Sequence, residues 1–168
     1  VQATSVADKR PLVQALNRAI DLSLANVPSF PGRTLVVLDD SGSMTTPTKR
    51  GDGTPLQIGS LFAAALYKSN NADLMRFSDD ASYVTQNPDN PVMTIAEFLV
   101  KNARSSGTNF QAIFKVAKRA YDRIIILSDM QGWMFGGAPT QQFSEYKART
   151  GANPFLYSFD LQGYGSLQ

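Results

Sequence analysis

Residues 39–43 read Asp39-Asp40-Ser41-Gly42-Ser43, directly after the apolar run Thr34-Leu35-Val36-Val37-Leu38. A short β-branched run ending in carboxylate and hydroxyl side chains predicts a buried strand that delivers oxygen atoms to one edge of a sheet. Such oxygens are the ligands a small, hard cation prefers. The spacing Asp-x-Ser-x-Ser therefore points to a Mg²⁺ or Mn²⁺ site on Asp39, Ser41 and Ser43. Each of these residues taken singly also suits a turn or a helix N-cap, where side-chain oxygens satisfy backbone amides.

Composition narrows the chemistry. The chain contains neither Cys nor His. A disulfide framework, thiolate zinc and a Cys nucleophile are excluded. So are a Ser-His-Asp triad and any His-ligated zinc or iron site. Only oxygen-ligated metals remain. The net charge of +2 permits contact with nucleic acid without arguing strongly for it. No apolar run approaches the ~20 residues needed to span a bilayer, so no membrane segment is expected, and a cytoplasmic location is the expectation. The 168 residues suit one domain. The chain opens at Val1 without a Met or a signal-like stretch, which suggests a piece cut from something longer.

The elements that must position these residues follow from periodicity. Ala7 to about Asn26 reads as a helix, with Leu12, Leu16, Ile20 and Leu24 recurring every four residues and Val13 beside them. Residues 27–32 break it, so residues 1–32 form a helix and linker leading into a domain over 33–168. Arg33–Asp39 is the first strand. A polar loop runs from Met44 to Thr54, and Pro55 suits the first turn of a helix to about Lys68 that is apolar nearly all round. Strands are expected at Ala72–Phe77, Ala81–Thr85 (a short edge strand), Arg123–Ser128 and Pro154–Asp160. Helices are expected at Thr94–Asn102, Asn109–Tyr121 and Gln141–Thr150. The first of these carries Ile95, Phe98 and Leu99 on one side. The second is amphipathic, with Phe110, Ile113, Phe114, Ala117 and Tyr121 facing inward and Lys115, Lys118 and Arg119 on a solvated face. Gly151 is a C-cap of the third. Strands alternating with helices predict an α/β fold with a doubly wound, mostly parallel sheet flanked by helices.

In such a sheet, ligands bind beyond the carboxyl ends of the strands, where the strand order reverses. Two strands end in Asp, at Leu38-Asp39 and Ser128-Asp129. The loop Ser105-Ser106-Gly107-Thr108 precedes the amphipathic helix, and its Gly lets it turn tightly enough for the Thr108 hydroxyl to approach the same edge. The candidate set is Asp39, Ser41, Ser43, Thr108 and Asp129.

Asp-x-Ser-x-Ser, then Gly-Thr-Asn at a helix start, then a strand ending in Asp, occur in the order seen in the von Willebrand factor A domain. The chain resembles that family and its metal-ion-dependent adhesion site over nearly its whole length. The resemblance implies a Rossmann-like von Willebrand A fold, in which Ser41 and Ser43 bind the metal directly. It implies that Thr108 binds directly or through water, and that Asp39 and Asp129 act through water or behind the ligands. One position stays open for an acidic ligand. Three hydroxyls and two carboxylates suit Mg²⁺ or Mn²⁺ better than the larger Ca²⁺, and two carboxylates leave the loaded site formally neutral. Asp40 departs from the apolar residue often found there; strand alternation should point it away from Asp39.

The lead-in Asn26-Val27-Pro28 to Pro31-Gly32-Arg33-Thr34-Leu35, with Phe77-Ser78-Asp79 and Ser128-Asp129-Met130-Gln131, resembles the A domain of Ro-type (TROVE) RNA-binding proteins. That branch implies a helical-repeat ring in the parent chain as partner, with small structured or misfolded RNA bound by the ring. It also implies a last strand and helix that this chain stops short of at Gln168.

Other features are weaker. Arg50-Gly51-Asp52 matches an adhesion tripeptide and reads as coincidence in a polar loop. Lys49 and Arg50 could meet RNA phosphates. Trp133 and Phe135, in a Gly-rich loop after Asp129, could stack on bases or pack on a partner. The leading expectation is a metal-dependent binding module, not an enzyme, that captures an acidic group of a protein or RNA partner. The alternative is Mg²⁺-dependent phosphoryl transfer of haloacid-dehalogenase type with Asp39 as nucleophile. Those phosphatases place a second acid two residues on, where this chain has Ser41, and no His base is available.

Overall fold

The computed structural model of the protein describes residues 10–48, 51, 53–130 and 139–162. Its strands are β1 (Thr34–Asp39), β2 (Asp73–Phe77), β3 (Ala81–Val84), β4 (Arg123–Ser128) and β5 (Phe155–Asp160). They form one sheet in the order β3-β2-β1-β4-β5. β1 lies parallel to both β2 and β4, and β4 lies parallel to β5. β3 runs antiparallel on the edge beside β2. The chain winds outward from β1 to β3, then returns to β4 on the other side of β1. The strand order therefore reverses between β1 and β4, which places a ligand crevice beyond their carboxyl ends. The expected mostly parallel, doubly wound sheet is the one the chain forms.

Both faces of β1 are buried, and its alternation divides the core. Val36 and Leu38 pack with Leu56, Ala63 and Ala64 of α2 (Pro55–Asn70) and with Val92, Ile95 and Leu99 of α3 (Val92–Lys101). Leu35 and Val37 pack on the opposite face, against Phe110, Ile113 and Phe114 of α4 (Phe110–Val116) and Tyr146 of α5 (Pro139–Thr150). Successive strand residues point to opposite faces, so a continuous apolar run serves two layers at once. The start of α2 is set locally: Thr54 and Gln57 form a reciprocal capping box and Pro55 occupies the first turn.

Several elements depart from the sequence expectation. The first helix, α1, spans Arg10–Ser23 and is followed by a tighter turn over Leu24–Asn26. Only part of its apolar stripe is used: Ile20 and Leu24 pack on the core, whereas Leu12, Val13 and Leu16 stay exposed. Asp21 fastens this helix, accepting from the Val92 amide at 3.0 Å and pairing with Lys68 at 3.6 Å. α2 is not buried all round, since Leu61 and Phe62 are exposed, and Phe98 of α3 is exposed as well.

The largest correction concerns α4, which ends at Val116 although its apolar spacing continues to Tyr121. Tertiary partners take over the hydrogen bonds that further turns would have used. Arg149 donates to the carbonyls of Phe114 and Ala117 at 2.8 and 2.9 Å. The Lys118 amide donates to the Tyr83 hydroxyl, and the Tyr121 amide to the Tyr146 hydroxyl, each at 3.1 Å. Ala117 and Tyr121 remain buried as expected. Arg119 stays on the solvated face as expected, and from there pairs with Asp73 at 2.9 Å. Among the described residues, no helix is long and apolar enough to cross a membrane.

Candidate metal site

β1 and β4 end side by side in Asp39 and in Ser128-Asp129, at the point where the strand order reverses. Asp39, Ser41, Ser128 and Asp129 are all fully buried. The Asp39 carboxylate is held from both sides. Its Oδ1 accepts from the Ser41 amide at 2.9 Å, and its Oδ2 accepts from the Ser128 hydroxyl at 2.6 Å. Ser128 Oγ in turn accepts from the Met130 amide at 2.9 Å. The Ser41 and Ser43 hydroxyls stand 3.3 Å apart, beside this carboxylate pair. Burial pushes the Asp39 carboxyl up to about 6; the Ser128 and Ser41 hydrogen bonds oppose the shift and the Asp129 charge adds to it. Buried carboxylates that repel one another favour either a proton or a cation between them.

Two further loops close on this edge. The Gly42 amide donates to the Ser106 carbonyl at 2.8 Å, and the Ser105 amide to the Asp40 carbonyl at 2.9 Å. The approach is close: a Cβ on Gly42 would lie 3.3 Å from the Ser105 carbonyl oxygen, so a side chain there would need the loop to give by a few tenths of an ångström. The loop after β2 supports the same segment. Ser106 Oγ donates to Ser78 Oγ at 2.9 Å, and the Asn109 amide to the Ser78 carbonyl at 2.7 Å. The Asp79 carboxylate lies directly against Gly107, so a side chain at that position would have to displace it. Thr108 is half-buried between these anchored residues. Its loop is thus brought to the edge that carries Ser41 and Ser43.

Asp40, the residue without an account in the sequence, has a specific partner. Its buried carboxylate is met by Arg104, whose Nη2 and Nε donate at 2.9 and 3.1 Å. The Arg104 amide adds a 3.3 Å bond to the same carboxylate, and Arg76 stands 4.0 Å away. Arg104 also donates to the Asp80 carboxylate and, at 3.1 Å, to the Asp80 carbonyl. The negative charge of Asp40 is therefore met by arginine and is not added to that of Asp39 and Asp129.

The residues that sequence reasoning missed are Ser128, Ser78 and Arg104. Ser128 had a usable signal, being the hydroxyl immediately before the strand-end Asp129. Arg104 had none, because its partners lie 64 and 24 residues away in the chain. Lys49, Arg50, Asp52, Trp133 and Phe135 lie outside the described residues.

The donor set fits a hard divalent cation. It offers hydroxyl and carboxylate oxygens only, two of the carboxylates are buried, and one of these is driven toward protonation by its surroundings. Among the described residues, no cluster of three or more acidic side chains forms a carboxylate cage. The hydroxyls must accordingly complete any coordination.

No protein-family model matches the chain, and no curated protein matches it. Solved structures do share its fold. The RO (RSR) protein of Deinococcus radiodurans matches with a TM-score of 0.70 and 23% identity, over 93% of this chain and 32% of that one. An aerotolerance-related membrane protein from Bacteroides fragilis matches with a TM-score of 0.50 and 15% identity, over 75% of this chain and 65% of that one. The conserved hypothetical protein BatB from Bacteroides thetaiotaomicron matches with a TM-score of 0.50 and 16% identity, over 74% and 64%. The chain thus spans about a third of the Deinococcus protein's length. At these identities the likeness is one of fold, and it agrees with the von Willebrand A and Ro-type architecture that the motifs resemble.

Proposed function

We propose that this chain is a metal-dependent binding module of von Willebrand A type, working within a Ro-type RNA-binding protein. Ser41, Ser43 and Thr108 would hold one Mg²⁺ or Mn²⁺, with Asp39 and Asp129 balancing its charge. A bound cation would supply Lewis acidity toward a carboxylate or phosphate of a protein or RNA partner. The observation that carries this reading is the pair of strand-end carboxylates, both fully buried where the strand order reverses, with two serine hydroxyls 3.3 Å apart beside them. Among the described residues, the hydrogen bonds to Asp39 come from neutral donors, Ser41 and Ser128.

A binding role is favoured over phosphoryl transfer by the state of Asp39. Both of its oxygens already accept hydrogen bonds, from Ser41 and Ser128, which lowers their nucleophilicity and fixes their orientation. The fold shared with the RO protein supports a place beside a helical-repeat ring and its RNA. Calorimetric titration with Mn²⁺ tests the metal reading. Wild type is expected to take up one ion and Asp39→Ala none, while equal heats from both would sink it.

A further inference from the structure

We propose that Arg104 is the positioning residue of the metal edge: seated on Asp40, it sets where the Thr108 loop stands relative to Ser41 and Ser43, and so sets the affinity for the cation. This inference rests on the metal reading above.

Besides the end of β4, which carries Asp129, three loops meet at that edge: residues 39–45 with Ser41 and Ser43, 104–109 with Thr108, and 78–80, which supports the second. Arg104 touches all three. Its side chain grips the Asp40 carboxylate at 2.9 and 3.1 Å, its Nη2 reaches the Asp80 carbonyl at 3.1 Å, and its own backbone begins the Thr108 loop. Two backbone bonds lie just beyond this grip, Ser105 to Asp40 at 2.9 Å and Gly42 to Ser106 at 2.8 Å. Between them Ser105 adopts a left-handed conformation with φ of 54°. That geometry is unfavourable for a residue with a side chain and persists only where its surroundings impose it. The guanidinium and the two flanking backbone bonds are those surroundings.

The chemistry is specific to arginine. A planar fork can satisfy a carboxylate and a carbonyl in fixed directions, whereas a lysine ammonium presents a point charge without that geometry. Asp40 is 1% exposed, so its charge needs this partner. Arg76, 4.0 Å from the same carboxylate, adds to the charge balance from β2 but does not reach the Thr108 loop through it. The competing view is that Asp40–Arg104 is an ion pair important to stability alone. It predicts variants that melt earlier yet bind the ion unchanged.

A double-mutant cycle separates the two. Mn²⁺ affinity is measured by calorimetry for wild type, Arg104→Lys, Thr108→Ala and the double variant, with melting curves to establish that each is folded. Arg104→Lys is expected to weaken Mn²⁺ binding about tenfold, the scale typical of groups that orient metal ligands. Because Arg104 acts through the Thr108 loop, the double variant should bind about as weakly as Thr108→Ala alone. Full additivity, or unchanged affinity in a folded Arg104→Lys, overturns the proposal while leaving the metal reading intact. If Arg104→Lys does not fold, Asp40→Asn, which keeps the shape of the partner, is read by the same criteria. Wild type that takes up no Mn²⁺ would remove the metal reading, and this inference with it.

Discussion

Asp39 ends β1 and Asp73 begins β2, so the two carboxylates mark opposite ends of one strand pair. Asp73 is supplied from within the protein. Arg119 Nη1 donates to its two oxygens at 2.9 and 3.0 Å, and the Tyr121 hydroxyl donates at 2.7 Å. Tyr83 extends the network, 2.9 Å from the Tyr121 hydroxyl. Burial, with Tyr83 and Asp73 adding to it, pushes the Tyr121 phenol far up, so its hydroxyl keeps its proton and goes on donating to Asp73 at any ordinary pH. Asp39 is more deeply buried, yet among the described residues its donors are neutral, the Ser41 amide and hydroxyl and the Ser128 hydroxyl, and it faces the charge of Asp129. The difference is instructive. A carboxylate paired with the protein's own cation is a structural joint, and one left with neutral donors and a like charge is poised for a cation from outside. Asp40 belongs with Asp73, since its charge is met by Arg104 although it is adjacent to Asp39.

The comparison can be broken most directly with pH. Asp39 has a folded pKa of about 6 against an ordinary value of 3.8, so the metal-free folded state holds its proton more tightly than the unfolded chain. Its contribution to stability is present in full below about 4, and is lost as pH rises through about 6, a change of about 3 kcal/mol. Urea unfolding in chelator from pH 4 to 7 should show this decline in wild type and not in Asp39→Asn. Saturating Mg²⁺ should remove it, because the ion replaces the proton. A wild-type profile that matches Asp39→Asn would mean that burial does not hold a proton on Asp39, and the contrast with Asp73 fails.

Asp73→Asn addresses the other end. It removes the charge that Arg119 and Tyr121 share, and should lower stability by about 2 kcal/mol, the scale for hydrogen bonds to charged groups. Mn²⁺ affinity should not move, because the change lies at the opposite end of the sheet. A shift in affinity would show that the two ends are coupled. Tyr121→Phe is the mildest test. It deletes one hydroxyl from the same network and should cost about 1 kcal/mol in chemical denaturation, again without altering metal uptake.

Much of the fold was legible because local signals agreed with the tertiary outcome. Leu35–Leu38 is apolar at every position, and such a run is stable only between two layers. Pro55 announces a helix start, and Gly151, at φ of 68°, closes α5 as expected. The reading was less successful where partners distant in the chain decided the result. The apolar repeat of 109–121 looks helical to its end, but Arg149, Tyr83 and Tyr146 capture the hydrogen-bonding groups past Val116. The stripe of α1 reads as one buried face, but only Ile20 and Leu24 reach the core.

For the candidate site, the residue types and their order along the chain were set by sequence alone: oxygen donors without Cys or His, an Asp at the end of each of two strands, and a Gly-Thr loop between. These depend on composition and strand polarity, which need no knowledge of distant contacts. Only the tertiary structure decided how the charges divide. Asp39 and Asp40 carry the same side chain; strand alternation separates them onto opposite faces, but nothing local says which partner either carboxylate meets. The distinction arises because folding brings Arg104 to Asp40 and Ser128 to Asp39. Electrostatic energy in a buried site depends on which partner stands within about 3 Å, and that distance exists only once the loops have met.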